Sequence, residues 1–556
     1  MELYKLFTIF IFYFVVVHQV SSEEITLTAG PVTCEYKTKD TSEEYNASSD
    51  VNIKCSDSTC TVSGSGAAFS NNVVSITSAG TYIIQGTLNG QVHIEVTEND
   101  FVHLVLNGVT ITSSSGPAIY GVMADKITIT LLGENTLSDS TNYSVVDEEP
   151  DACLFVDSDL SINGSGSLTV TGKYGDAIRC KKDLKIVNGN ITVPSAVQRG
   201  IKAKNSICIK DGTIDITSTN TGLKVTRDDN AEKGYIVIDG GKVSISTDND
   251  GVHSETHLTI RGGYVNVLKA KEGLEGQMID ILGGEIHVKA TNDGINASKI
   301  TDTSTTSNNN GGPGDTQATG TDGSVYINIV GGKTYVTVEG SDVDGIDSNG
   351  VLYIGGEAEV YTSISGGDVY GNMAAIDAEG TNAIVSGPTV IVTAGQTSGS
   401  GQMGGNSGKF NKRRGGDNGE QGGMGGMGGM GGMGNMSESG IIQQPYIQTS
   451  VNSQNANTEI TVKDSKGNVI ASYTPDVSYS TVLVTSPKMS AGESYTIITG
   501  DDTTTASASK GSTEEVKAPS VTTPTETLQN SSSLGFKIKP SFISLIIILF
   551  SFFILI

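Results

Sequence analysis

The chain has 556 residues, of which 70 are Gly and 12 are Pro, with no Trp and a net charge of −26. That much Gly disfavours a helical fold, since each interior Gly costs a helix about 1 kcal/mol, and no Gly-X-Y period supports collagen. So acidic a chain disfavours nucleic acid as a partner, and the lack of Trp argues against a flat Trp platform for sugars.

Residues 1–22 carry Lys5, an apolar run Leu6–Val17 and small residues before Glu23, the pattern of a secretory signal cleaved near Ser22. Residues 23–75 are expected to form an N-terminal segment or cap. Cys34, Cys55 and Cys60 cluster there, so one disulfide among them is expected. Six Cys in all are too few for a disulfide scaffold. Asn-x-Ser/Thr sites begin at Asn46, Asn142, Asn163, Asn190, Asn296, Asn435 and Asn530. They fit a glycoprotein on a secreted route but are common by chance in Ser/Thr-rich chains.

Residues 76–395 are repetitive. The unit Gly200-Ile201-Lys202-Ala203, continued by Ile207-Cys208-Ile209 and Thr213-Ile214-Asp215-Ile216, matches the unit at Ala177-Ile178 and the unit at Gly251-Val252. Further units start at Gly222-Leu223, Gly273-Leu274, Gly294-Ile295, Gly345-Ile346 and Ala375-Ile376. Each holds three short alternating strands with Gly at the corners, and period-2 alternation buries one face. Three strands and three corners make one coil of about 22 residues. The predicted fold is all-β: a right-handed parallel β-helix, in which matching positions stack about 4.8 Å apart. Less regular strands at Gly80–Gly86, Val92–Val96, Val102–Leu106, Val109–Thr112 and Ile127–Leu131 fit its first coils.

Residues 396–440 form a Gly/Met-rich linker around Met424, Met427, Met430 and Met433, with no material for a core. Strands return in 441–500 as a small β module, with Asp464–Asn468 as a hairpin turn. Residues 501–533 read as a Ser/Thr-rich stalk. Residues 534–556 end in the apolar run Phe542–Ile556, preceded by the small residues Asn530–Ser533 and the spacer Leu534–Pro540. That order is the signature of a glycolipid (GPI) anchor signal, with a hydrophobic tail anchor as the alternative. The expected location is extracellular, at the cell surface and membrane-attached, as a monomer.

Several segments resemble a known family in kind and order. They are Gly80–Gly86, Val105–Ile111, Asn135–Asp139, Leu160–Gly164, Ala231–Ile236 and Asn292–Ser298. Together they resemble the carbohydrate-binding β-helix proteins of bacterial cell surfaces, over about Gly80 to Thr499. The resemblance implies a parallel β-helix, binding of acidic plant polysaccharide such as polygalacturonate (cellulose being a further possibility), bound calcium, and a distant likeness to β-helix polysaccharide lyases. The C-terminal anchor signal departs from that family.

Stacking lets residues be compared by column. The position before Gly-Ile reads Asp176, Arg199, Thr221, Asp250, Glu272, Asp293 and Asp344. Stacked carboxylates repel, and calcium, which takes six to eight oxygens at about 2.3–2.6 Å, removes that cost. The expected calcium ligands are Asp248, Asp250, Glu272, Asp293, Asp342 and Asp344, with Asn249, Glu275 and Asp347 close by. The competing reading is solvated turn carboxylates, since Asp-Gly is ordinary turn chemistry. Asp147, Glu148, Glu149 and Asp151 read as an exposed acidic loop.

The position after Gly-Ile reads Arg179, Lys202, Lys224, His253, Glu275, Asn296 and Asp347, and Lys181 and Lys204 repeat the cation two residues on. Arg179, Lys181, Lys202, Lys204 and Lys224 are the expected sugar-binding stripe, gripping uronate carboxylates. The competing reading pairs them with Asp183, Asp211, Asp228 and Asp229. The same parts suit β-elimination if a Lys or Arg of lowered pKa serves as base, so a calcium-dependent lyase is the second functional reading. A structural or adhesive surface protein is the third. His253, beside Asp250 and Glu255, is open to a role as base or ligand, although a lone surface histidine is usually neither. Cys180 falls in the inward column with Ala203, Val225 and Ser254. Cys208 points outward, five columns away at about 3.3 Å per residue. That is beyond the ~7 Å disulfide limit, so no Cys180–Cys208 bridge is expected.

Overall fold

The computed structural model describes residues 25–146, 148–299, 320–340, 344–367, 369–370, 374–395 and 440–519. The expected signal, the Gly/Met tract, the anchor signal, Asp147 and Asp342 lie outside the described residues. Among the described residues the chain is all-β, the single helix being α1 (Thr38–Thr41). No helix there is long and apolar enough to cross a membrane.

The strands form a solenoid-like stack. Each coil contributes one strand to a 13-stranded sheet and two to a 27-stranded sheet, which bends into two faces. Register follows the repeats: Ile178 pairs with Ile201 and Ile201 with Leu223, all in parallel strands. Leu223 then pairs with Val252, Val252 with Leu274 and Leu274 with Ile295. All six are fully buried in one continuous apolar interior. Removing each from water stabilises the fold by roughly 1.5–3 kcal/mol. Their β-branched or branched shapes suit a pleated, densely packed surface.

The Gly-Gly corners have a geometric cause. Gly263 has φ +82°, and a Cβ there would stand 2.6 Å from the carbonyl oxygen of Gly241 one coil away. Only Gly satisfies both the positive φ and the close stacking.

Both ends of the stack change to antiparallel pairing, which limits open sheet edges. At the start, Val51–Ser56 and Thr59–Ser63 form a hairpin closed by a Cys55–Cys60 disulfide. At the end, Tyr479–Thr485 pairs antiparallel with the last coil strand, Thr389–Ala394. The C-terminal module also holds a four-stranded antiparallel sheet. Its last strand is Asp502–Ser507, paired with Ser494–Thr499. The Ser/Thr-rich stretch therefore begins as sheet: its threonines are β-branched and alternate between exposed and half-buried.

The module docks through aromatic rings. His287, Tyr335 and Tyr361 occupy one outward column, with centroid spacings of 4.6 Å and 4.9 Å. Tyr473 of the module adds to it at 5.2 Å from Tyr361, and its hydroxyl bonds the Ser363 hydroxyl at 2.6 Å.

Residues 25–45 form a strap along the outside of one face of the 27-stranded sheet. Leu27 packs with Met278 and Tyr326. The Gly30 N–H donates to the Tyr326 hydroxyl, and Arg261 donates to the Val32 carbonyl. Cys34 is disulfide-bonded to Cys208, and the Tyr36 hydroxyl donates to Asp239. At the far end Asp40 meets Lys126, Ser161 and Lys185. Cys208 thus points outward yet is buried, because the strap covers it. One disulfide in the early cysteine cluster forms as expected, while Cys34 reaches across the fold instead of pairing locally. Cys180 is buried and free, as is Cys153.

A charged ladder as the candidate functional site

The outward residues of the 13-stranded sheet form an unbroken ladder. Its first rungs are aromatic: His93 beside Tyr120, Tyr120 beside Phe155, and Phe155 beside Arg179. The Arg179 guanidinium lies over the Phe155 ring, 5.6 Å from its centroid. Three cations follow, Arg179 to Lys202 to Lys224. Then come His253, Glu275, Asn296 and Asp347. Arg179, Lys202 and Lys224 of the expected stripe therefore share one column with Glu275, Asn296 and Asp347, while Asp293 and Asp344 of the expected acidic column pair with each other three positions upstream. A second outward column runs beside it through the corners. Backbone hydrogen bonds join Ala177 to Arg199, Gly200 to Thr221, Gly222 to Asp250, Gly251 to Glu272 and Gly273 to Asp293.

Counterions divide the stripe. Arg179 pairs with Glu149 at 2.6 Å and with Asp151. Lys181 pairs with Glu149 at 2.6 Å and Asp157 at 3.3 Å, and Lys224 with Glu255 at 2.8 Å. The loop before the strand Ala152–Val156 thus folds its carboxylates back onto the cations and is not simply an exposed acidic loop. Asp183 pairs with Lys233 and Asp229 with Arg227, so neither serves the stripe.

Lys202 and Arg199 differ. Both approach the same carboxylate, Asp176, at 3.9 Å and 3.5 Å. Asp176 is fully buried, and its Oδ2 has no hydrogen-bond partner. Burial raises its pKa. Burial also pulls the Lys202 ammonium below its usual value; Asp176 opposes this, while Arg179 and Arg199 reinforce it. Two cations facing one carboxylate leave this corner with unbalanced positive charge. Lys204, further along, is exposed and has no ion-pair partner among the described residues.

The acidic half contains two clusters. In the first, His253 lies among carboxylates: Nδ1 is 3.1 Å from Asp250 and contacts Glu275, and Nε2 is 3.7 Å from Glu255. Burial lowers its pKa, but hydrogen bonds to Asp250, Glu255 and Glu275 outweigh this and push it up to about 11. His253 is therefore an imidazolium at neutral pH and already supplies the local cation. The repeat already places His253 between Lys224 and Glu275; what the sequence does not show is that carboxylates close on both of its ring nitrogens. Glu272, beside this cluster, is raised by burial, then by Glu275 and Asp250.

The second cluster joins Asp293, Asp344 and Asp347, with one oxygen of each within 4.8 Å of the others. Asn296, next to Asp347 on the ladder, has a buried Oδ1 without a hydrogen-bond partner. This donor set is all oxygen, which suits calcium. The imidazolium-filled cluster suits it poorly. Of the other expected ligands, Asp248 stands apart on the surface, paired with Lys269 at 2.5 Å.

A family described as carbohydrate-binding domain-containing protein matches residues 70–311. A curated protein of that description from Acetivibrio thermocellus is 35% identical over 208 residues, covering 36% of this chain and 72% of that protein. This chain belongs to that carbohydrate-binding domain family. A solved structure titled as a polysaccharide lyase-like protein from C. thermocellum, in a gadolinium derivative, is 30% identical. It covers 43% of this chain and 94% of its own, at a TM-score of 0.38. In this carbohydrate-binding domain the family match takes in the cationic half of the ladder and the first acidic cluster. Asp344 and Asp347 lie beyond it.

Proposed function

We propose that this carbohydrate-binding domain is a right-handed parallel β-helix that binds acidic polysaccharide of the polygalacturonate type, with calcium, along the outer face of the 13-stranded sheet. Right-handed winding follows the general rule for crossovers between parallel strands. The observation that carries the binding reading is the corner where Arg199 and Lys202 share the single carboxylate of Asp176. A uronate carboxylate entering there neutralises the surplus charge and accepts charge-assisted hydrogen bonds. Asp293, Asp344, Asp347 and Asn296 would hold the calcium, which supplies a bridge to further sugar carboxylates. Lys202 to Asp347 is five ladder steps, about 24 Å at ~4.8 Å per step, long enough for a polymer chain. The two disulfides favour an oxidising, extracellular location. Attachment to the cell surface through residues 534–556 is part of the same proposal.

The test is electrophoresis in native gels cast with polygalacturonate or with neutral glycans. Retardation is expected in polygalacturonate with calcium, and relief is expected on adding chelator. Unchanged mobility in every acidic gel would sink the binding reading and leave a structural or adhesive role.

One observation favours a lyase as second reading: the Lys202 amine is held below its ordinary pKa. As a free amine it would take the proton at C5 of a uronate. The electron pair would form the C4–C5 double bond, and the C4–O bond would break, its oxygen taking a proton from water. Incubation with polygalacturonate would then release unsaturated product absorbing in the ultraviolet, and Lys202→Ala would abolish it. No absorbance with the native chain excludes this reading while leaving binding intact.

A further inference from the structure

We infer that Tyr174 is a stacking platform for a sugar ring, adjoining the cationic corner. This inference rests on the acidic-polysaccharide reading and adds a contact of a different chemical kind. Tyr174 directly precedes the corner Gly175-Asp176, and the residue is 36% exposed. One face of its ring is covered by Tyr143, at 4.2 Å between centroids and 13° between planes.

The pair is held from behind by Asp139, which is fully buried. The Tyr143 hydroxyl lies 2.8 Å from Asp139 and 2.9 Å from the Ala152 carbonyl, its single proton shared between the two acceptors. The same carboxylate accepts the backbone N–H groups of Lys173 at 2.7 Å and Tyr174 at 3.3 Å. One buried acid therefore anchors the Tyr143 ring and the backbone that carries Tyr174, and the Tyr174 ring rests on that anchored neighbour. Such preorganisation lowers the entropy cost of binding.

The placement joins the platform to the charges already described. Gly175 accepts the N–H of Gln198 on the next coil, so Tyr174 and Arg199 flank adjacent corner positions. Lys173, beside Tyr174, is exposed. On the next coil Val197, 51% exposed, extends the apolar surface; its N–H donates to the Gly172 carbonyl. A uronate chain has two chemistries to satisfy, carboxylates and the C–H faces of its rings. Arg199 and Lys202 meet the first, and the open face of Tyr174 meets the second. The outward column His287–Tyr335–Tyr361 is unsuited to this role, because its rings cover one another's faces.

The experiment compares the full native chain with Tyr174→Ala, Tyr174→Phe and Tyr174→Trp in polygalacturonate gels and by titration with galacturonate oligomers. An aromatic contact of this kind predicts binding about three- to tenfold weaker in Tyr174→Ala. Affinity should be kept in Tyr174→Phe, which retains the ring. Tyr174→Trp gives the chain its only Trp, whose emission should shift as oligomer saturates. Thermal melting of each variant separates loss of fold from loss of contact. If the native chain binds but Tyr174→Ala binds equally, or the Trp emission does not move at saturation, the platform is overturned and the charge-based reading stands. If the native chain itself does not bind, the broader reading fails first.

Discussion

Replacing Asp40 by alanine is expected to destabilise the fold by about 3–5 kcal/mol, the usual cost of removing one partner from a buried ion pair. Asp40 is 1% exposed and Lys126 is 7% exposed. The carboxylate accepts from Lys126, from Lys185 at 3.0 Å, from the Ser161 hydroxyl at 2.7 Å and from the Lys37 N–H at 2.7 Å. Truncation leaves the Lys126 ammonium buried without its counter-charge, and it frees the end of the strap that Asp40 fastens to three successive coils.

The same residue sets an acid limit. Burial raises the Asp40 pKa, but hydrogen bonds from Lys126, Ser161 and Lys37 outweigh it and hold the carboxyl well below the usual range. Because the folded value lies below the unfolded one, the stabilisation is complete above about pH 4. It disappears as pH falls through the folded value. Denaturant melts should therefore show the native chain weakening between pH 4 and pH 2 more steeply than Asp40→Ala. A variant within about 0.5 kcal/mol of native stability at pH 7, the scatter of ordinary surface substitutions, would show that the strap is not anchored there.

The strap also marks where sequence reading stopped. The interior columns were legible because Ile178, Ile201 and Leu223 recur with their Gly corners, and a solenoid repeats each environment once per coil. Residues 25–45 have no such period, since they cross coils instead of winding with them. A trace of them was nevertheless present. Outward positions on the covered face include Ser161, Cys208, Val237 and Thr259, which are small or neutral, although the same column holds Lys185 between the first two and Asp280 after the last. All four are buried. The uncharged stretch Cys208, Val237 and Thr259 is the mark of a face that something covers, and it would have pointed Cys208 towards a partner from outside the coil.

The candidate site was half legible for a related reason. Column comparison grouped Arg179, Lys202 and Lys224, and also Asp293 with Asp344, because those depend only on the repeat. It could not find Glu149 and Asp151 as counterions of Arg179, since they come from an insertion that breaks the period. Nor could it show that Asp176 sits between Arg199 and Lys202. Those relations depend on side-chain reach across a corner. They convert a stripe of five cations into one unbalanced corner, a narrower and more testable target.

His253 is the residue whose replacement should reveal most about the acidic end. Its side chain is 17% exposed and contacts Asp250, Glu255 and Glu275, with Lys224 and Glu272 next in the two columns. Glu255 is driven down to about 2: burial raises it, but His253 and Lys224 outweigh that. His253→Gln removes the cation and leaves three carboxylates together, so a loss of about 2–4 kcal/mol is expected at pH 6, somewhat under the cost for a fully buried pair. The histidine's folded pKa of about 11 lies above its unfolded value of about 6.5. Its contribution is thus complete below pH 6.5, declines as pH rises, and is gone above about pH 11. The gap between native and variant melting temperatures should narrow accordingly from pH 6 to pH 10. Calcium supplies the decisive comparison. In the native chain the imidazolium occupies the space between Asp250 and Glu275, so added calcium should stabilise only through Asp293, Asp344 and Asp347. In His253→Gln the vacated carboxylates become a second oxygen site. Calcium at about a hundred times its dissociation constant adds about 2.7 kcal/mol per site that exists only in the folded state. The variant should therefore gain more from calcium than the native chain does. Equal gains would mean that the imidazolium and calcium do not compete, and that this cluster is held by the histidine for stability alone.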